Sequence, residues 1–592
     1  MEKIISDSGD WFANENLLVA ARSGDAHAVA RIISARDFKD PNFSSDTNDF
    51  TALMFSAIAG HARVVEVLLH DKRVNANHTS KHHGATALIC AAVGGHAPVI
   101  ALLLDDSRVD VNLANLHGST ALIAACSESE HAVIVALLLD DERVDPNLKN
   151  KQGSTALMVA AEIGNSSAVM LLLGDSRVKP NIADPHGDTA LMLSAHVGHT
   201  SVLSLFLSDK RVNPNMADGN GYAVLIWAAM KGHTSEVEAL LRNDRVNPNV
   251  VNVKGCSALM LSALNGHDEV VGALLEDERV DPNMTDENGD TALIHAADSG
   301  NASTTLLLLY DYRVDPHVAN NKGNTALILA ADCGHASVVT ALLADEEVDP
   351  NETNDSGDSA LLWAAHNGHA PVIELLLADE RVNPFIVNQH GNTSLILASD
   401  YGHAQVVELL LADESVDPNA TNQKGNTALI VAADRGHASV VQLLLRDERV
   451  DPNALNFHGS TALMIATWHE HAKVVELLLG EQLVDPNFAN QSGNTALLIA
   501  THQGYDSIAT LLLEDGRINP NIANTHGNTA LMFAIEMGHK NVAKKLCSTL
   551  EETLSGMAKL RARVFELERA AAEIISGASG DSGSEEEELP AC

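Results

Sequence analysis

An all-α solenoid of stacked helix pairs, with a turn-rich finger closing each pair, is the fold class this sequence predicts. Three observations carry it. A glycine recurs at 84, 118, 153, 187, 221, 255, 289, 323, 357, 391, 425, 459, 493 and 527, every spacing being 34 except 118 to 153, which is 35. A fixed period of this size marks an array of one supersecondary unit. Within the unit, apolar residues fall at helical spacing. The chain has 592 residues, 45% hydrophobic but only 3% aromatic, which suits thin Ala, Val and Leu layers between neighbours better than large aromatic cores.

The cleanest unit is 425–458. Thr427 is a helix N-cap, its hydroxyl free to accept an orphan N–H of the first turn. Ala428 to Arg435 follows as a short helix rich in small apolar residues, and Gly436 sits where a left-handed C-cap is needed. A second helix begins near Ala438 with Val440, Val441, Leu444 and Leu445 as its stripe. Arg449 falls just past its end, favourable for the helix dipole. Asp451-Pro452 forces extended backbone, and the stretch to Gly459 reads as a turn.

At these residues the unit resembles an ankyrin repeat: a G-N-T-A-L-I start, the pair Ala432-Ala433, a G-H, a V-V…L-L helix and a D-P-N close. The resemblance covers about residues 16 to 547. It departs from the family in lacking the usual histidine of the start, which is Met, Ile or Leu in every copy, and in an extra residue in the D-x-R stretch. The resemblance implies a helix-turn-helix plus β-turn finger per repeat. It also implies a protein partner held by the finger tips and by the ends of the first helices on a concave face. By position, the finger residues include His83, His117, Lys254, Lys322, His390, Lys424, Phe457 and His458, and the helix-end residues Met230, Asp298, Asp332, His366, Asp400, Tyr401, Asp434, Trp468, His469 and His502. Asp298, Asp332, Asp400 and Asp434 share one register with His366 in the gap, and would form an acidic ladder flanked by Tyr401 and Trp468. A basic segment is the partner that such a ladder fits.

In chain order, 1–15 is an N-terminal segment and 16–547 an array of about sixteen repeats, the first degenerate as a water-facing end should be. Residues 548–575 carry Met557, Leu560, Val564, Leu567, Ala571 and Ile574 at heptad-like spacing, expected as a helix that caps the array or dimerises. Residues 576–592 read as a disordered acidic tail. There, Glu585 to Glu588 with Leu589 resemble the glutamate-rich C-terminal signals of type IV-secreted effectors, which makes an effector acting in a host cytosol the alternative function. A further period of 68 links His390, His458 and His526, and also Glu347, Ser415 and Leu483, where the D-x-R arginine is replaced. Duplication of a two-repeat block accounts for it.

A net charge of −41 makes nucleic acid and anionic membrane poor partners and a basic protein surface a better one. Six scattered cysteines suit a reducing, cytoplasmic setting. The start MEKIISDSGDWF has no secretory pattern, and no run of eighteen apolar residues occurs. No phosphate-binding glycine loop or nucleophile elbow is seen. Thirteen of the 17 prolines sit at the D-P-N position and twelve of the 28 histidines in one register after the first helix, so both are architectural. The pairs His366/His369 and His469/His471 each include one such histidine and lack further ligands. No catalytic group, cofactor or metal site is therefore expected. Trp227 and Trp363 are expected in the core, and Cys90, Cys126 and Cys333 as small buried residues.

Overall fold

The computed structural model describes residues 2–44 and 49–551, with side chains from Phe12 onward. Most of the expected 548–575 helix, the acidic tail and Glu585–Leu589 lie outside the described residues. The chain divides into two compact units, 1–321 and 322–592. In each unit the architecture is a stack of helix pairs. First helices pack on first helices and second helices on second helices of the neighbouring repeats. The described residues hold sixteen such pairs, from Glu2–Ser23 with Ala26–Ile33 to Ala530–Glu536 with a helix starting at 540. The opening helix has 22 residues, against 8 in a typical first helix such as Ala428–Arg435.

The local chemistry explains the boundaries. Thr427 has extended backbone and its Oγ1 accepts the Ile430 N–H at 3.3 Å. Gly436 ends the helix at φ +76°, where a Cβ would stand 2.7 Å from His471 Nδ1 of the next repeat; both backbone and neighbour require glycine there. Ala438–Arg446 follows. The first helix lies between two neighbours and buries six consecutive residues, Ala428 to Ala433. The second helix buries only Val440, Val441 and Leu444. Leu445, expected in its stripe, is half-buried at the flank, because one side of this helix faces water.

Three polar ladders tie repeats together. Where a histidine follows the first helix, its ring N–H can donate to a last carbonyl of the first helix one repeat earlier: His437 Nε2 lies 3.0 Å from Asp400 O, and His471 Nε2 3.0 Å from Asp434 O. The asparagine of D-P-N bridges forward; Asn419 Nδ2 donates to Arg449 O at 2.6 Å, and Asn419 Oδ1 accepts the Asp451 N–H at 2.7 Å. The third ladder corrects the expectation for Arg449. Its guanidinium does not cap its own helix. It reaches back one repeat, donating to Leu411 O at 2.6 Å and Val416 O at 3.1 Å, and so satisfies an orphan carbonyl at the end of Ala404–Ala412. Asp447 grips the same guanidinium from two residues away, at 2.7 Å. The extra residue in D-x-R thus gives the arginine the reach of a clasp between repeats.

Ten of these clasping aspartates, among them Asp106, Asp311, Asp379, Asp447 and Asp515, are held below the ordinary 3.8, first by the arginine side-chain hydrogen bond. A carboxylate whose folded pKa is depressed contributes stability that is fully present above its unfolded pKa and lost as pH falls through the folded one. Thermal melts should therefore stay level from neutral pH down to about pH 4 and fall steadily below it. An array whose melting temperature is flat through pH 3 would show that the clasps contribute nothing.

Two side-chain expectations change. Trp227 and Trp363 are half-buried and not in the core. Their helix position faces the finger, so the Trp227 indole donates to Asp218 Oδ2 at 3.3 Å and packs on Tyr222. Cys90 and Cys126 are buried, and burial pushes both thiols up to about 12. Cys333 is exposed, because it closes its helix and is not turned inward.

Candidate protein-binding site

The candidate residues lie at two levels of each repeat. Asp298 is exposed at the end of Ala292–Asp298, in the unit 1–321. All the others named below lie in the unit 322–592.

At the first-helix ends the structure pairs four candidates, Asp332, His366, Asp400 and Asp434, each with a residue 35 positions later, in the next repeat. Asp332 Oδ1 accepts Asn367 Nδ2 at 2.7 Å. The His366 ring meets Tyr401 at 4.1 Å between centroids, with Trp363 edge-on to it at 5.2 Å. Asp400 Oδ1 accepts Arg435 Nε at 2.6 Å. Asp434 Oδ1 lies 3.0 Å from His469 Nε2. Asp332, Asp400 and Asp434 therefore each have a local partner, and the row runs from an amide hydrogen bond through a ring contact to an arginine and then a histidine partner. His502 turns instead to Phe533, edge-on at 5.2 Å. Tyr401 stays 49% exposed and Trp468 51% exposed.

The line of finger tips lies above this row. His390 and His458 are exposed, while their carbonyls accept the Gln423 and Gln491 N–H groups of the next fingers at 3.0 and 3.2 Å. These histidines thus join successive fingers through backbone and leave their rings outside. Gly425 opens its finger at φ +72°, and a Cβ there would stand 2.8 Å from Phe457 N. A cleft of about 440 Å³ brings the two levels together: His390 and Lys424 from the fingers meet Asp400, Asp434 and Arg435 from the helix ends. Its walls carry both signs of charge.

One backbone feature stands beside Trp468. Glu470 occupies the left-handed position that glycine fills in other repeats, at φ +61°. A non-glycine residue held there stores strain of order 1–3 kcal/mol, and such strain clusters at functional places. The histidine pairs are engaged within the array: His369 Nε2 lies 2.8 Å from Asp332 O, and His469 and His471 stack at 6.0 Å while each faces Asp434.

Sequence reasoning named the acidic half of these pairs and missed Asn367, Arg435 and His469 as their partners. The signal was present in the register: the partners recur at an offset of 35, one residue beyond the repeat.

No curated protein matches the sequence. Among solved structures, a crystal structure of the ankyrin repeat protein EF0377 is similar at 26% identity, covering 31% of this chain and 95% of that one, with a TM-score of 0.30. The family description "Ankyrin repeats (3 copies)" matches residues 17–115, 72–149, 99–184, 122–218, 198–286, 259–354, 337–422 and 479–554. "Ankyrin repeats (many copies)" matches 409–466, and "Ankyrin repeat" matches 458–491. With helix pairs, left-handed glycine caps and stacked fingers repeating through both units, the chain belongs to the ankyrin-repeat family.

Proposed function

We propose that this chain is a non-catalytic scaffold that holds a protein partner along the first-helix ends and finger tips of residues 390–502. Ankyrin repeats are generally protein–protein interaction modules, which supplies the coarse statement. The observation that carries the finer one is the exposure of Tyr401, next in sequence to the cleft residue Asp400, and of Trp468, at the first-helix end of the repeat that follows the cleft. Tyr401 keeps this exposure although one face of its ring rests on His366. Half-exposed aromatics beside a polar cleft are what a protein hot spot requires. The strained Glu470 beside Trp468 supports the same place.

The partner of this reading has a basic surface. The acids of the row are already paired, so the attraction comes from the whole chain's charge of −41. A field of that kind steers encounter and sets its salt dependence more than it sets the final affinity. No described helix is long and apolar enough to cross a membrane. The described cysteines form no disulfide, and with their scattered spacing this supports a reducing, cytoplasmic setting. The secreted-effector alternative rests on Glu585–Leu589 alone.

Replacing both Tyr401 and Trp468 by Ala should leave the melting temperature close to that of the parent and weaken the captured partner by roughly 30-fold, the factor that about 2 kcal/mol represents. Affinity capture followed by titration of the recovered partner measures it. Unchanged binding by a folded double variant would move the site off this row. Association should also slow as salt rises, read from the on-rate.

A further inference from the structure

We propose that Cys256, Asp286 and His295 form a binding site for one borderline-soft divalent cation of the zinc class. Among the described residues they are the one group of three potential metal ligands whose donor atoms all lie within 4.8 Å of one another. Cys256 Sγ stands 3.9 Å from Asp286 Oδ2, and His295 Nε2 stands 3.2 Å from the same oxygen. Metal–ligand distances of about 2.0–2.3 Å at tetrahedral angles require edges of roughly 3.3–3.6 Å. One edge is therefore close to the required length, and binding would have to draw the Cys256 sulfur inward to shorten the other two.

The second observation is the histidine. His295 Nε2 is buried and makes no hydrogen bond. It lies within reach of Asp286 Oδ2, but the ring nitrogen is not aimed at that oxygen. Its side chain is 14% exposed and that of Asp286 only 4%. A buried, unpartnered ring nitrogen is costly, and a cation placed between the three donors would satisfy it.

The third observation is what stands at these positions in other repeats. The place of Cys256, one residue before the helix N-cap, holds Ser119, Ser154 and Asp188 elsewhere; the place of His295 holds Val159, Leu193 and Leu261. A thiol and an imidazole replace these residues at one junction, facing one carboxylate. At the equivalent junction two repeats earlier a purely structural answer is seen, the Trp227 indole donating to Asp218 Oδ2. His295 occupies the Trp227 position and does not repeat that bond.

The surroundings hold the donors in place. Asp286 spends Oδ1 on the Asn288 and Asp290 N–H groups at 2.8 and 2.9 Å, which leaves Oδ2 for the site. Asn252 Oδ1 accepts the Cys256 N–H at 3.0 Å and fixes the turn that carries the thiol, as outer partners of metal ligands do. Burial, then Asp286, pushes the Cys256 thiol above its ordinary value, with Lys254 opposing and Glu287 adding to the rise. The thiol is thus protonated by itself and becomes a thiolate when a cation displaces its proton. Cys, His and Asp donors together suit zinc, with a fourth position left for water or a partner's side chain.

The test uses the full-length chain, reduced, with Co2+ as a spectroscopic stand-in and Zn2+ as competitor. The expected result is thiolate-to-cobalt charge-transfer absorption that saturates at one equivalent and is displaced by Zn2+. Cys256→Ser, Asp286→Asn and His295→Leu should each remove that absorption or weaken binding at least ~10-fold. All three introduce residues that occupy the same positions in other repeats, as Ser154, Asn252 and Leu261 do, so each variant should melt like the parent. Cys333→Ser, at an exposed thiol elsewhere, should change nothing. Absence of the thiolate band at one equivalent, or its persistence in Cys256→Ser, would overturn the site.

Discussion

Leu444→Ala should cost about 3 kcal/mol, within the range for truncating a buried leucine. Leu444 is fully buried on the second helix of its repeat, against Val440 and Val441, also fully buried. Its loss leaves a cavity between helices that pack on both neighbours, Ala404–Ala412 and Ala472–Gly480. Because each repeat contacts only its neighbours, the damage should be local. Hydrogen exchange should rise through residues 404–480 while distant repeats keep their protection. Leu445→Ala, one residue on and half-buried, is the internal control and should cost less than half as much. Equal effects from the two variants would mean that the second helix packs differently from the arrangement described.

Features fixed by adjacent residues were legible in the sequence. Thr427 caps, Gly436 terminates and Ala428–Arg435 spans the helix that its sequence predicts, because each depends on backbone chemistry within a few positions. What escaped was every contact whose acceptor lies a repeat away. Arg449 looked like a dipole partner of its own helix; its carbonyl acceptor is Leu411. Asp400 and Asp434 looked like rungs of an acidic ladder; they face Arg435 and His469. Trp363 looked like core because its helix position is leucine in the family, yet the finger side of a first helix is only half-covered. In a periodic array the sequence shows the register of every residue but not which neighbour its side chain crosses to. That choice depends on side-chain length, and arginine, with the longest reach, was misplaced by a full repeat.

Arg449→Ala should have the second large effect, about 2 kcal/mol. Its guanidinium joins Asp447 to the end of the preceding second helix. Hydrogen bonds to charged groups are worth about 1.5–3 kcal/mol. The side chain is 36% exposed, so solvent screening holds the total near the lower part of that range. The reverse experiment is available in the same unit. Ser415 stands where the arginine belongs, two residues after Asp413, and its hydroxyl donates to that aspartate at 2.7 Å. By the offsets that Arg449 uses, an arginine at 415 would reach the carbonyls of Leu377 and Val382 at the end of Ala370–Ala378. Ser415→Arg should therefore stabilise the array by about 1 kcal/mol. In the parent chain the last turn of Ala370–Ala378 should already exchange its amide hydrogens faster than the last turn of Ala404–Ala412, which has its clasp. Arg449→Ala should remove that difference by loosening the second helix, and Ser415→Arg should remove it by protecting the first. Urea midpoints give the energies and exchange gives the location. Equal exchange at the two helix ends in the parent, together with an unshifted midpoint for Arg449→Ala, would show that the arginine clasp is geometry without consequence.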